Sequence, residues 1–153
     1  MIEVRRADPG CPDAVALQDE LSDYLERLTG SSGRASFDPV TMMDPRAAFA
    51  IAFAAGRAIG CGALRPIETG VAEVKRMYVR PSHPGAGGTI LHWLEQEAVR
   101  LGYTEIWLET RRVNERAVRF YRRHLYREIE PFGAYRGRPE AICMGKVLVP
   151  DIV

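Results

Sequence analysis

The spacing of apolar residues changes period several times along the chain, and each change marks an element. Ile2-Glu3-Val4-Arg5-Arg6-Ala7 alternates apolar with polar, the period of a half-buried strand, and Asp8-Pro9-Gly10 closes it with turn chemistry. From Pro12 the apolar positions Ala14, Leu17, Leu21, Leu25 and Leu28 recur every three or four residues until Gly30, which predicts an amphipathic helix. The small, polar stretch Gly30 to Pro39 predicts a surface loop with room for a short helix after it. Ala47 to Ala55 and Ala58 to Leu64 are apolar runs divided by Gly56-Arg57, a link that predicts a hairpin.

Val71 to Val79 reads as a fourth strand, stopped before Pro81, whose nitrogen cannot donate to a ladder. Gly85-Ala86-Gly87-Gly88 follows, then a helix headed by Thr89 with the stripe Ile90, Leu91, Leu94, Ala98 and Leu101, and Gly102 as its stop. Tyr103 to Glu109 is a fifth strand. A strand, helix, strand succession of this length predicts a right-handed crossover, so the fourth and fifth strands run parallel. Asn114 to His124 has helical spacing, and Tyr126 to Ile129 and Ala141 to Val149 predict two closing strands around a Pro131 to Pro139 loop. The expected fold is α/β (α+β mixed sheet): about seven strands with helices on both faces, in a single domain over 1–153.

Composition narrows the function. With 46% apolar and 27% charged residues, 153 residues can bury a sizeable core. Basic residues number 21 against 20 acidic, and a net charge of +1 gives no field to hold nucleic acid or an anionic membrane, so neither is an expected partner. No apolar run approaches the roughly 20 residues of a bilayer span, and Met1 to Arg6 lacks an apolar secretion signal, which points to the cytoplasm. Cys11, Cys61 and Cys143 form no C-x-x-C pair and His83, His92 and His124 no H-E-x-x-H pair, so no metal site is expected and the thiols should be reduced. No Ser or Cys sits in a G-x-S-x-G elbow, which disfavours a hydrolase.

The glycine cluster lies where a strand ends and a helix starts. Free backbone N–H groups and the positive dipole end could hold a phosphate there, or the glycines could simply make a turn. The cluster is neither G-x-G-x-x-G nor a P-loop, so a Rossmann dinucleotide site and nucleotide hydrolysis are disfavoured.

Taken in order, Val71-Ala72-Glu73-Val74-Lys75-Arg76-Met77-Tyr78-Val79-Arg80-Pro81, the glycine cluster, Leu101-Gly102-Tyr103 and Asn114-Glu115-Arg116-Ala117-Val118-Arg119-Phe120-Tyr121 resemble the GNAT superfamily of acetyl-coenzyme A-dependent N-acetyltransferases. The likeness covers nearly the whole chain. It implies that the fourth and fifth strands splay, and that the pantetheine arm of acetyl-CoA lies between them against Met77, Tyr78 and Val79. Its pyrophosphate would meet Pro84, Gly85, Ala86, Gly87, Gly88 and Thr89, with Asn114 capping the next helix beside it. Two departures stand in that loop: Pro84 occupies the family's usual arginine position, and the segment from Pro81 to Leu101 is about two residues short of the common form.

The resemblance also implies roles. Glu73 matches a strand-four glutamate that serves as base toward the acceptor ammonium, with Glu109 as fallback, and Tyr121 matches the acid that protonates the leaving thiolate. Without the resemblance, Glu73 reads as a surface strand residue and Tyr121 as a core aromatic. All but two basic residues are arginine, and Arg112, Arg116, Arg119, Arg122 and Arg123 crowd one segment as a solvated helix face or a contact for the coenzyme's phosphates. The acceptor is expected to be a small-molecule or peptide amine. Gly30 to Arg46 and Pro131 to Pro139 would flank it, with Phe37, Phe132, Tyr135, Arg136 and Arg138 as lining. Arginines there suit a carboxylate-bearing amine. A catalytically weakened binding or regulatory module of the same fold and a transferase for longer acyl groups are the competing readings, and a homodimer through an exposed closing strand is possible on topology.

Overall fold

A computed structural model describes residues 1–149; the last four residues of the expected domain, 150–153, lie outside the described residues. The elements are β1 (Ile2–Arg6), α1 (Pro12–Thr29), β2 (Ala48–Ala54), β3 (Arg57–Glu68), β4 (Val71–Val79), α2 (Ala86–Arg100), β5 (Glu105–Arg111), α3 (Glu115–Arg123), β6 (Arg127–Glu128) and β7 (Ala141–Val147). Short 3-10 turns at Arg34–Ser36, Pro39–Met43 and Gly133–Tyr135 order the two long connections. All seven strands form one mixed sheet in the order β1-β2-β3-β4-β5-β7-β6, with β4 and β5 its parallel neighbours. The closing strand β7 lies inside the sheet, so the edges are β1 and the two-residue β6.

Several boundaries differ by a few residues from the sequence reading, among them the ends of β3, β5, β6 and β7, and two of the shifts have a clear physical reason. The β2–β3 turn is Ala55-Gly56 rather than Gly56-Arg57, because both turn residues take positive φ (49° and 78°) and Arg57 already pairs with Ala54. That is the backbone a tight hairpin requires, with glycine at its second position. Helix α2 begins at Ala86, three residues before Thr89, with Gly85 as its cap. Gly87 and Gly88 therefore sit inside the first turn. A Cβ on Gly87 would stand 3.1 Å from Phe120 Cε1 and one on Gly88 3.2 Å from His124 Cε1, so the absent side chains let α3 close on α2.

Helices cover both faces. On one, α1 places Ala14 and Leu17 against Phe49, Ile51, Ala58, Cys61 and Ala63. On the other, Ile90, Leu91, Leu94 and Ala98 of α2, joined by Tyr121 of α3, pack on Ala50, Leu64, Val74, Ile106, Leu108 and Met144. A third cluster gathers Phe132, Tyr135, Ala141 and Cys143, with Trp107 against it. None of the described helices is long and apolar enough to cross a membrane.

The spacing of α2 from the sheet is set by Gly60 and Gly62 on β3. A Cβ at Gly60 would lie 2.7 Å from the Tyr78 carbonyl oxygen and 2.9 Å from Ile90 Cδ1, and one at Gly62 would lie 2.6 Å from Met77 Sδ. Backbone cannot yield as a side-chain tip can. Gly60→Ala is expected to lower the free energy of unfolding by about 1–3 kcal/mol in urea denaturation, the usual cost of overpacking. A loss under about 0.5 kcal/mol would mean the strands part freely there.

Candidate active site

The sheet forks at its centre. β4 and β5 pair only at Val71–Glu105, Ala72–Ile106 and Glu73–Trp107, while β3 follows β4 to Val79 and β7 follows β5 to Arg111. A bulge in β4 marks the change of course. Its register against β3 slips by one residue between Ala63–Lys75 and Cys61–Tyr78, and Arg76 sits at φ 57°. A left-handed backbone at a residue with a Cβ costs about 1–2 kcal/mol. A bulge bends and over-twists its strand. Beyond Glu73 the β4 edge facing β5 is thus free of strand pairing, and an extended ligand with its own amides could bond to it as an added strand.

At the open end of this fork, Met77, Tyr78 and Val79 are half-buried. Met77 and Val79 pack toward α2, whereas Tyr78 lies on the α1 side and donates its hydroxyl to Glu20 Oε1 at 3.1 Å. The α2 N-terminus fits between strand and helix: a Cβ on Gly87 would be 3.7 Å from Val79 Cγ2 as well as close to Phe120. The first amides of a helix lack intrahelical acceptors. That of Ala86 donates to the His83 carbonyl at 3.1 Å, which leaves the N–H groups of Gly85, Gly87 and Gly88 to form the positive end of the helix dipole. Pro84 is exposed and supplies no N–H, and Thr89 is an exposed residue of the first turn.

Asn114 caps α3, its Oδ1 accepting from the Ala117 amide at 3.2 Å. Two turns after the cap, Tyr121 is 7% exposed and lies edge-on to Phe120 and Tyr126, with centroids 5.1 and 5.7 Å away. Its hydroxyl makes no hydrogen bond among the described residues, and burial pushes its phenol well above the ordinary value, so it holds its proton at neutral pH.

The α1 side of the fork is charged instead. Glu73, 1% exposed, takes Arg65 Nε at 2.8 Å and Nη2 at 2.7 Å on one oxygen, and the Tyr135 hydroxyl at 2.9 Å on the other. Lys75 Nζ donates to the Tyr135 oxygen at 2.7 Å and stands 3.6 Å from Glu73. Burial pulls the Lys75 ammonium down, and Glu73 opposes that. The signal for this network was in the strand register, since Arg65 and Glu73 are cross-strand partners. Past the last β4–β5 pair, Glu109 has a side chain 15% exposed with Arg111 Nε 3.8 Å away. Burial raises its carboxyl above the ordinary value, opposed by Arg111 and Lys75.

Placement of the expected acceptor lining is mixed. Phe132 and Tyr135 are buried, edge-on to each other at 5.2 Å, and Phe132 also meets Trp107 at 5.2 Å. Arg136 and Arg138 are exposed. Phe37 is half-buried, 5.8 Å from the Arg76 guanidinium. The structure therefore gathers Met77, Val79, Gly85 to Gly88 and Tyr121 on one side of the fork and Glu73, Phe132 and Tyr135 on the other, with Phe37 beside the bulge. Among the described residues no three His, Cys, Asp or Glu side chains converge as metal ligands.

The profile of the acetyltransferase (GNAT) family matches residues 14–125. A protein of Azospirillum brasilense named IAA acetyltransferase is 32% identical over 150 residues, covering 96% of this chain and 98% of its own. A crystal structure from Klebsiella pneumoniae, described as a candidate acyl-CoA N-acyltransferase, superposes with a TM-score of 0.83 at 28% identity and covers 97% of this chain and 99% of that one. A GNAT family acetyltransferase from Elizabethkingia anophelis, solved with acetyl-CoA bound, shares the fold at a TM-score of 0.71 and 17% identity, covering 96% of this chain and 98% of its own.

The Tyr135 hydroxyl ties the 131–139 connection to β4 by bonding two charged groups at once. Tyr135→Phe is expected to cost about 1.5–3 kcal/mol in equilibrium unfolding, the range for hydrogen bonds to charged partners. An unchanged transition would mean that water takes the hydroxyl's place.

Proposed function

The chain belongs to the acetyltransferase (GNAT) family, and on that premise we propose that it moves an acetyl group from acetyl-CoA to a primary amine by direct transfer in a ternary complex. The observation that carries this reading is the fork: unpaired backbone on β4 runs straight to the glycine-rich start of α2. The chemistry of both surfaces fits the co-substrate. The amides of Gly85, Gly87 and Gly88 would hold its pyrophosphate, and the β4 edge at Met77 to Val79 would hold its amide-bearing arm. When bound, acetyl-CoA supplies a thioester carbonyl open to nucleophilic attack.

The protein's part is proton handling and orientation. An acceptor ammonium must shed a proton before its nitrogen can form the new C–N bond, and Glu109 is the carboxylate suited to take it. It is partly exposed beyond the last strand pair, and its raised value brings it nearer the operating pH. Glu73, with Arg65 on one oxygen and Tyr135 on the other, holds the sheet and the 131–139 connection together instead. As the C–S bond breaks, Tyr121 donates its proton to the departing sulfur; burial keeps that proton available, and no protein acceptor competes for it. The three free cysteines suit a reducing, cytoplasmic setting. A weakened binding module is the competing reading, favoured by Pro84, which removes one amide from the loop.

Glu109→Gln and Tyr121→Phe should each lower kcat/KM by about a hundredfold or more. The parent's kcat/KM should rise with pH through a value above the ordinary carboxylate range. Stability runs the other way. A carboxyl whose folded value is raised stabilises the fold below its unfolded pKa and loses that contribution as pH rises through the folded value. Glu109→Gln should therefore be at least as stable as the parent at neutral pH, the difference closing in acid. Tyr121→Phe should unfold within about 0.5 kcal/mol of the parent. Turnover within about twofold in both variants would remove these roles, and calorimetry with no heat on adding acetyl-CoA would favour the binding module.

A further inference from the structure

Of the cations on the α1 side of the sheet that are not exposed, all but one have a carboxylate among the described residues. Arg65 and Lys75 share Glu73, and Arg111 lies 3.8 Å from Glu109 and 3.5 Å from Glu140. Arg76, at the bulge, has none among the described residues, although it is only 8% exposed. Its Nη2 donates to the Gln18 carbonyl at 2.9 Å and to Ser22 Oγ at 2.7 Å, and its Nη1 to the Ser32 carbonyl at 3.4 Å. Its Nε is the single buried side-chain polar atom without a partner among the described residues. The nearby carboxylate of Asp19 is taken at the surface by Arg34, at 3.1 Å.

A buried guanidinium held only by neutral oxygens is an incomplete ion pair. The fork lies beside it, since Arg76 is the residue before Met77 on the unpaired stretch of β4. What covers the guanidinium is the connection after α1: Ser32 accepts from it, Gly33 is close enough that a Cβ there would be 3.4 Å from Nη1, and the Phe37 ring is 5.8 Å from Cζ. Gly30 and Gly33 both take left-handed backbone (φ 81° and 76°), which glycine adopts without strain.

We propose that Arg76 is the anion-binding residue of the acceptor site, and that the amine acetylated by this protein carries a carboxylate which displaces the Ser32 carbonyl from the guanidinium. The proposal rests on the acetyl-transfer reading and narrows its acceptor to anionic amines. Arginine suits the task because its N–H groups present a fixed planar fork to carboxylate oxygens. The Gly30–Phe37 segment opens to admit the acceptor and closes with Phe37 over it.

The test has two arms that need different things of the protein. In the first, thermal melts compare β-alanine, phenylalanine and 3-phenylpropionate with their respective amides, in the absence of acetyl-CoA. At least one carboxylate raises the Tm of the parent and its amide does not, and the shift vanishes in Arg76→Met and in Arg76→Lys, which keeps the charge but loses Nε. In the second, acetyl transfer to β-alanine and phenylalanine is compared with transfer to their amides. The parent prefers a carboxylate by about 10- to 100-fold in kcat/KM, the worth of one charge-assisted hydrogen bond. In Arg76→Lys that ratio falls toward one while turnover of the amide persists; comparing the ratio between proteins cancels the amines' own basicities. The parent alone decides the first arm, so a variant that fails to fold leaves the test intact. No carboxylate-dependent shift in the parent, or an equal loss for acid and amide in Arg76→Lys, overturns the site. A carboxylate shift without acetyl-CoA binding overturns the acetyl-transfer reading and leaves the site standing.

Discussion

The centre of this molecule is organised by one local distortion: a strand that carries an extra residue bends and over-twists, and so changes course relative to its neighbours. The bulge at Arg76 keeps β4 on β3 while turning it away from β5, and β5 is held to β7 over its whole length, so the sheet must open between them. An opening in the middle of a sheet leaves backbone donors and acceptors in a place where most proteins satisfy them. A positive φ at an arginine and a run of unpaired β4 backbone are two local costs at one spot. Such costs persist where the surroundings over-determine them, and here two helices and the β3 ladder do so.

The two faces of the fork differ in kind. Toward α2 and α3 it is apolar, walled by Met77, Val79, Phe120 and Tyr121, with the positive helix end at its mouth. Toward α1 it is lined with charge: Arg65, Glu73, Lys75, Arg76 and Glu109. A buried charge needs partners or it destabilises the fold, and Glu73 satisfies that rule by holding Arg65, Tyr135 and Lys75 in one network. The network also fixes the 131–139 connection, because Tyr135 reaches β4 from it. Arg76 breaks the rule on the same face: it has no carboxylate among the described residues, and the proposed acceptor carboxylate would complete the pair.

Legibility from the sequence varied with the range of the interaction. Helix α1, the strand ends at Pro81 and the Asn114 cap were readable because each is decided by neighbours within a turn or two. The Ala55-Gly56 turn lies one residue before the Gly56-Arg57 link that the apolar runs suggest, since Ala55 takes a positive φ that composition does not announce. The start of α2 was placed late because Gly87 and Gly88 look like loop residues until Phe120 and His124, more than thirty positions on, are seen against them. The charge network was hidden for the same reason: Arg65 and Glu73 face each other only through the register of a hairpin whose bulge no pattern marks. The burial of Phe132 and Tyr135 in the third cluster is not legible locally either, because it depends on Cys143 of β7 and Trp107 of β5 meeting a Gly- and Arg-rich loop.

The division of the fork has a chemical consequence. Acyl transfer to an amine needs an apolar, amide-lined channel for one reactant and a polar approach with a proton acceptor for the other, and a single pocket serves both poorly. Here the sheet itself is the partition. A group lying on the β4 edge would present its carbonyl through the gap, with Tyr121 behind the bond to be broken. An amine arriving from the α1 side would meet Glu109 before the gap and Arg76 beside it. On that reading attack and departure would occur on opposite faces, so the proton taken from the nitrogen and the proton given to the sulfur would not compete for one residue. The bulge that turns the strands apart would thus also keep the proposed base, Glu109, and the proposed acid, Tyr121, on separate faces.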